Sequence, residues 1–122
     1  MLSVTNIDTS YGHAKVLHGI TLEVLSGQTV FIAGRNGAGK TTLLKSIAGF
    51  LKPSEGSITF DNQSILGLVP EKIALSGIRY VFQDKRVFSQ LSVRENLELA
   101  AYPLKVGVAD AIAKTVSIYP KI

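Results

Sequence analysis

The string that most constrains this chain is "FIAGRNGAGKTTLL", Phe31 to Leu44. Gly34 leads into Arg35-Asn36-Gly37-Ala38 and then Gly39-Lys40-Thr41, so two glycines bracket a loop that ends on a lysine and a hydroxyl. Glycines let the backbone wrap with its N–H groups turned inward, and a helix starting near Lys40 adds its positive end, roughly half an elementary charge. A loop of this pattern holds phosphate when a strand enters it and a helix leaves it. Both flanks read that way. "TVFIA", Thr29 to Ala33, is a continuous apolar run of the kind that suits a strand covered on both faces in a parallel sheet. After the loop, Leu44, Ile47, Ala48 and Leu51 fall at i, i+3, i+4 and i+7, which predicts a helix with one buried stripe, and Pro53 lies beyond its end.

The residue types then assign roles within the loop. Gly34, Asn36, Gly37, Ala38 and Gly39 form the backbone around the phosphates. Lys40 reaches the β- and γ-phosphates of a nucleotide, Thr41 offers its hydroxyl to Mg²⁺, and Thr42 contacts the α-phosphate.

The rest of the chain alternates strand-like and helical patterns. "LSVTNI" from Leu2 and "ITLEVL" from Ile20 have the alternation of half-buried strands, and "SGQ" turns the second into "TVFIA". A strand is expected over Ser57 to Phe60 with a hairpin at Asp61-Asn62, then a short helix opened by Pro70 and ended by Gly77. "IRYVF", Ile78 to Phe82, reads as another strand. Ser92 with Glu95 three residues on forms a capping box for a helix bearing Val93, Leu97 and Ala100, closed by Pro103. The segment from Val108 to Tyr119 is helical in pattern, with Ala111, Ile112, Thr115 and Ile118 on one face.

A chain of 122 residues is one domain or part of one. No stretch approaches the ~18 consecutive apolar residues of a membrane span, no basic-then-apolar leader opens the chain, and there are no cysteines to staple an exported fold. A cytoplasmic protein is expected. The net charge of +4 comes from Lys and Arg scattered along the chain, so a solvated basic surface is expected and no nucleic acid.

The phrase "GRNGAGKTTLLKSIAG" resembles the ATP-binding subunits of ABC transporters, and the resemblance runs from end to end of the chain. It implies an α/β fold of the P-loop NTPase, ABC ATPase type, with an incomplete parallel core sheet and an antiparallel β-subdomain, and it implies ATP and Mg²⁺ as ligands. In that family an aromatic upstream of the loop stacks on adenine, and Tyr11 in "SYGHAKVLHGITLEV" stands at that place. Val16 lines the same pocket by the same resemblance. Gln83 in "GIRYVFQDKRVFSQLSVRENL" matches the family's glutamine, which touches Mg²⁺ and the attacking water and lies in a loop pressed on the membrane subunit. "KRVF", "LSVRENLELAAY" and the closing "SIYPKI" are similar, more narrowly, to the ATPases of branched-chain amino-acid importers. Phe82 before Gln83 departs from that subfamily, which often carries Pro-Glu there.

Residues 1–122 thus read as the N-terminal part of an ABC nucleotide-binding domain with phosphate loop and glutamine loop. The signature, the Mg²⁺ aspartate with its catalytic glutamate and the switch histidine are not found in the sequence. "LSG" at Leu75 to Gly77 precedes Gln83 instead of following it and reads as a helix end. Asp61 belongs to a hairpin, Asp110 begins a helix, and Glu95 and Glu98 are helix-surface carboxylates. His13 and His18 have no metal-ligand partners at useful spacing. A P-loop kinase or GTPase is disfavoured; a GTPase would show an Asn-Lys-x-Asp string, and none occurs. The expected partners are a second ABC ATPase subunit, identical or different, and membrane permease subunits reached through the glutamine-loop region, which would hold the protein at the inner face of the plasma membrane. The chain itself is expected to bind ATP without hydrolysing it, and a non-hydrolysing binding module is the alternative if this is its natural length. In the ABC fold the strand entering the phosphate loop and the strand entering the glutamine loop do not pair with each other, so both are expected to carry open edges.

Overall fold

The structure is a computed structural model that describes residues 1–84, 87–103 and 106–120. Two compact units make it up, Met1–Tyr80 and Val81–Ile122.

The first unit is organised on a long hairpin. Leu2–Tyr11 (β1) pairs antiparallel with Ala14–Val24 (β2), and the turn between them is Gly12-His13. On its other edge β1 pairs antiparallel with Glu55–Phe60 (β3), which pairs with Gln63–Ser64 (β4), giving the order β2-β1-β3-β4. Asp61 and Asn62 make the β3–β4 turn with φ of 46° and 63°, the positive pair that a tight twisted hairpin demands and that Asn and Asp tolerate. β1 does not alternate strictly. Asn6 has a positive φ, and the ladder slips between Val4 and Ile7, so these two residues, an odd number apart, both reach the core.

Lys40–Ile47 (α1) and Pro70–Ser76 (α2) cover this sheet. Val4, Ile7, Leu17 and Ile58 from the sheet meet Leu43 and Ile47 of α1, Ile73 of α2, and Ile65, which follows β4, in one buried cluster. Each side chain of this size removed from water contributes about 1.5–3 kcal/mol before entropy is charged against it. Pro70 at the first turn of α2 and Gly77 in the left-handed conformation after it bound that helix as expected.

The stripe of α1 meets the expectation at Ile47 and Ala48, which are buried, and departs from it elsewhere. Leu43 is buried and Leu44 is 45% exposed, while Leu51 lies beyond the helix end. Polar pairing rotates the helix: the hydroxyls of Thr9 and Ser46 meet at 3.1 Å in a buried contact, and Ser46 Oγ also donates to Thr42 O. Thr42, Leu43, Ser46 and Ile47 therefore form the inner face, a mixed polar and apolar seam that an apolar periodicity does not detect.

Two expected strands are absent from the sheet. Neither Thr29–Ala33 nor Ile78–Phe82 joins it among the described residues, and the sheet there is wholly antiparallel. "TVFIA" is covered on one side only: Ile32 packs against the core while Phe31 is 90% exposed. Ile78 likewise packs inward and Val81 is 89% exposed. The physical reason is that an apolar run becomes a strand only where a neighbouring strand takes up its N–H and C=O groups.

The second unit pairs Val93–Ala101 (α3) with Val108–Ile118 (α4). Ser92 and Glu95 form the full capping box, each side chain bonding the other's backbone N–H. The carboxyl of Glu95 is held below its ordinary value by the hydroxyl and the backbone N–H of Ser92. Ala101, and not Ala100, is the buried alanine of α3. Ala111, Ile112 and Thr115 are half-buried on α4, and Ile118 is exposed. No helix among the described residues is long and apolar enough to cross a membrane.

Candidate functional site

The loop between "TVFIA" and α1 is shaped by its glycines and closed by its lysine. Gly39 is the N-cap of α1 with φ 92° and ψ 3°, a conformation that costs an L-residue about 1–2 kcal/mol. A Cβ there would also stand 2.8 Å from Leu17 Cδ2 and 3.5 Å from Val16 Cγ1, so the helix start lies directly against β2. Ala38 N–H closes a tight turn onto Arg35 O at 3.1 Å. Lys40 Nζ donates to Gly34 O at 2.7 Å and to Arg35 O at 2.8 Å. These bonds draw the ammonium back onto the first two carbonyls of the loop.

The N-terminus of α1 is left open. It has no side-chain cap and no acidic residue in its first turn, whereas α3 satisfies its own N-terminus with Ser92 and Glu95. The first-turn N–H groups and the helix's positive end are therefore available to an anion. Thr41 is exposed at this end of the helix and Thr42 is buried, its carbonyl bonded by Ser46. Gly34, Asn36, Gly37 and Ala38 are exposed, so the loop faces solvent along its length.

Tyr11 closes β1, paired with Ala14 across the turn, and is 47% exposed. Val16 lies on β2 beside Gly39 and is half-buried. The fold thus brings Tyr11, Val16 and the loop Gly34 to Thr42 into the first unit, with Val16 in contact distance of the helix start. Gln83 belongs to the second unit and is exposed. Lys85 and Arg86 of "KRVF", and Lys121 and Ile122 of "SIYPKI", lie outside the described residues. Gly77 is a left-handed helix cap, Asp61 a hairpin residue and Asp110 a first-turn residue of α4, which accounts for each without metal chemistry. Among the described residues no group of three or more His, Cys, Asp or Glu could hold a metal ion.

Sequence reasoning passed over Asp8. Its side chain is buried in β1, with Oδ1 accepting from Gly19 N–H at 2.6 Å and Oδ2 from Lys15 Nζ. These bonds hold the carboxyl below its ordinary range, the Lys15 hydrogen bond first, then Gly19, against the opposing effect of burial. The detectable signal was a lone carboxylate in a strand with a lysine seven residues later across a Gly-containing turn.

Comparison with known proteins places these features. The family profile described as ABC transporter matches residues 17–120. The chain is 38% identical over 102 residues to the high-affinity branched-chain amino acid transport ATP-binding protein BraG of Pseudomonas aeruginosa, covering 84% of this chain and 44% of that one. It is 36% identical over 118 residues to LivG of Escherichia coli K12, of the same description, covering 96% and 46%. The galactose/methyl galactoside import ATP-binding protein MglA of Treponema denticola is 37% identical over 112 residues, covering 92% and 22%. The chain therefore spans less than half the length of these relatives. Among solved structures, the ADP conformation of MJ1267, an ATP-binding cassette of an ABC transporter, superposes with a TM-score of 0.77 at 32% identity, covering 93% of this chain and 45% of that one. The dimeric structure of the bacterial ABC transporter cassette MJ0796 gives 0.74 at 29% identity, covering 88% and 49%.

Proposed function

The chain belongs to the ABC transporter family, among its ATP-binding subunits, and from that premise we propose that it is the ATP- and Mg²⁺-binding part of an importer ATPase. One observation carries the reading: Lys40 is already drawn across the loop by Gly34 O and Arg35 O, over a helix N-terminus that no side chain caps among the described residues. Such a preformed cradle suits a polyphosphate, because ordering a loop around the ligand would otherwise subtract from affinity. Gly34, Asn36, Gly37, Ala38 and Gly39 surround the phosphates with backbone, Lys40 meets the β- and γ-phosphates, and Thr42 supports the α-phosphate side. Thr41 fits Mg²⁺, which keeps several waters and takes single oxygens from protein and phosphate, so a cluster of carboxylates is not required. Tyr11 offers a ring face to adenine and Val16 an apolar wall. Gln83 is the residue for the metal and the attacking water.

Coupling to transport, in this reading, belongs to the whole protein: two ATPase subunits, identical or different, on the cytoplasmic side of the plasma membrane, pressed on permease subunits through the region of Gln83. Branched-chain amino acids are the proposed solute, supported by the relatives named for that transport and by "LSVRENLELAAY". These 122 residues bind ATP without turning it over, because positioning of water and metal is incomplete without further carboxylates and a facing signature.

Titration calorimetry tests the reading. The chain is expected to bind ATP only with Mg²⁺, and Lys40→Ala is expected to abolish the heat of binding. Undiminished binding by that variant would remove the phosphate-loop assignment.

A further inference from the structure

β2 opposite Asp8 is irregular in a way that bears on the site. Ile7 pairs with Ile20 and Thr9 with Leu17, so Asp8 alone on β1 faces both His18 and Gly19 on β2. Gly19, the second of these two residues, has φ 60°, a left-handed conformation that glycine adopts without strain. Thr9 and Ser10 are adjacent, yet their partners are Leu17 and Lys15, so Val16 is a second extra residue without a partner on β1. Two bulges thus follow one another within Lys15 to Gly19. Bulges next to sites re-aim side chains, and here the re-aimed residue is Val16, whose Cγ1 stands 3.5 Å from where a Cβ on Gly39 would be.

The carboxylate of Asp8 spans both irregularities. Oδ1 takes the N–H of Gly19 in the first bulge, and Oδ2 takes the ammonium of Lys15 at the far side of the second. The backbone of Asp8 is itself fixed, its carbonyl accepting from Ser54 N–H at 2.8 Å and Ser54 Oγ at 3.3 Å. The two ends of the irregular stretch, Lys15 and Gly19, are therefore bonded to one residue of β1, which lies three residues before Tyr11.

We propose that Asp8 is a positioning residue for the nucleotide base: by stapling the double bulge of β2 it sets Val16 and Tyr11 against the purine, and it has no part in holding the phosphates. The proposal rests on the ATP-binding reading and adds to it which residue sets the base side of the site. Its consequence is selective. Loss of the staple weakens a ligand that has a base and leaves one without a base unaffected.

The full chain is titrated with Mg²⁺ and either ATP or inorganic tripolyphosphate, as wild type, Asp8→Asn, Lys15→Gln and Lys40→Ala. Asp8→Asn is expected to weaken ATP roughly tenfold, within the range that loss of one base stack costs, with tripolyphosphate unchanged within about twofold. Lys15→Gln, a half-exposed residue whose loss leaves the Gly19 bond in place, is expected to show the same selectivity to a smaller extent even if Asp8→Asn folds poorly. Wild-type ATP affinity in both Asp8→Asn and Lys15→Gln overturns the proposal. So does an equal loss of both ligands, since Asp8 would then support the fold and not the base. Failure of the underlying reading is separate and visible: Lys40→Ala would then bind both ligands as wild type does.

Discussion

Gly39 offers the sharpest test of how this loop is built, because two separate penalties meet on one Cβ. The left-handed backbone at φ 92° costs an alanine about 1–2 kcal/mol. The added carbon would stand 2.8 Å from Leu17 Cδ2, inside the 3.4 Å at which ordinary contact begins, and Leu17 is 3% exposed within the core. Forcing a packed leucine aside costs a further 1–3 kcal/mol or so. Gly37 is the internal control: its φ is 84°, and a Cβ there meets nothing within 4 Å. Gly37→Ala should therefore cost only the backbone part, about 1–2 kcal/mol, and Gly39→Ala about 2–5 kcal/mol. The difference, ~1–3 kcal/mol, is roughly 5- to 150-fold in an opening constant. Amide hydrogen exchange at Ile7 and Leu17 in the full chain reads that constant. Placing both glycine variants in a Leu17→Ala background closes a double-mutant cycle, where the excess of Gly39→Ala should vanish. Equal penalties for the two glycines, or an excess that survives Leu17→Ala, would refute the close approach of α1 to β2.

Further outcomes follow from the same structure. A phosphate-release assay on the purified chain should stay at background, and steady turnover abolished by Lys40→Ala would reveal a catalytic group these residues were not credited with. Amide exchange should be fast over Thr29 to Ala33 and slow in β1, with aggregation or weakly cooperative unfolding of the isolated chain, because exposed apolar runs invite association; uniform strong protection of Thr29 to Ala33 in a monomer would contradict it. Asp8 should make stability acid-sensitive: its carboxyl lies below the ordinary 3.8, chiefly through Lys15 and then Gly19, with His18 adding to the field, and Glu55 opposite on β3. The folded state binds that proton less readily than the unfolded, so the stabilisation is complete above the unfolded-state pKa and is lost as pH falls through the lowered one. Asp8→Asn should flatten the dependence of urea midpoints on pH below about 4, and an unchanged slope would count against the staple.

Local chemistry was legible wherever a few neighbouring residues suffice to impose it. The glycines and Lys40 of the loop, the Asp61-Asn62 turn, the Pro70 start and Gly77 stop of α2 and the Ser92–Glu95 box all act within one turn of backbone, so the order of the residues determines them before anything else folds. Tyr11, Val16 and Gln83 were singled out differently, through resemblance, since a strand-end tyrosine or a loop glutamine has no local signature of its own. Tertiary structure alone decided the rest. Leu44 is outside and Ser46 inside because a hydroxyl pair with Thr9, 37 residues away, sets the rotation of α1. Asp8 staples a double bulge because β1 and β2 come together out of register, and side chains compete for that register only once both strands are paired. "TVFIA" and "IRYVF" have strand composition and stay outside the sheet, because strand formation depends on hydrogen-bonding partners that a run of residues cannot supply to itself.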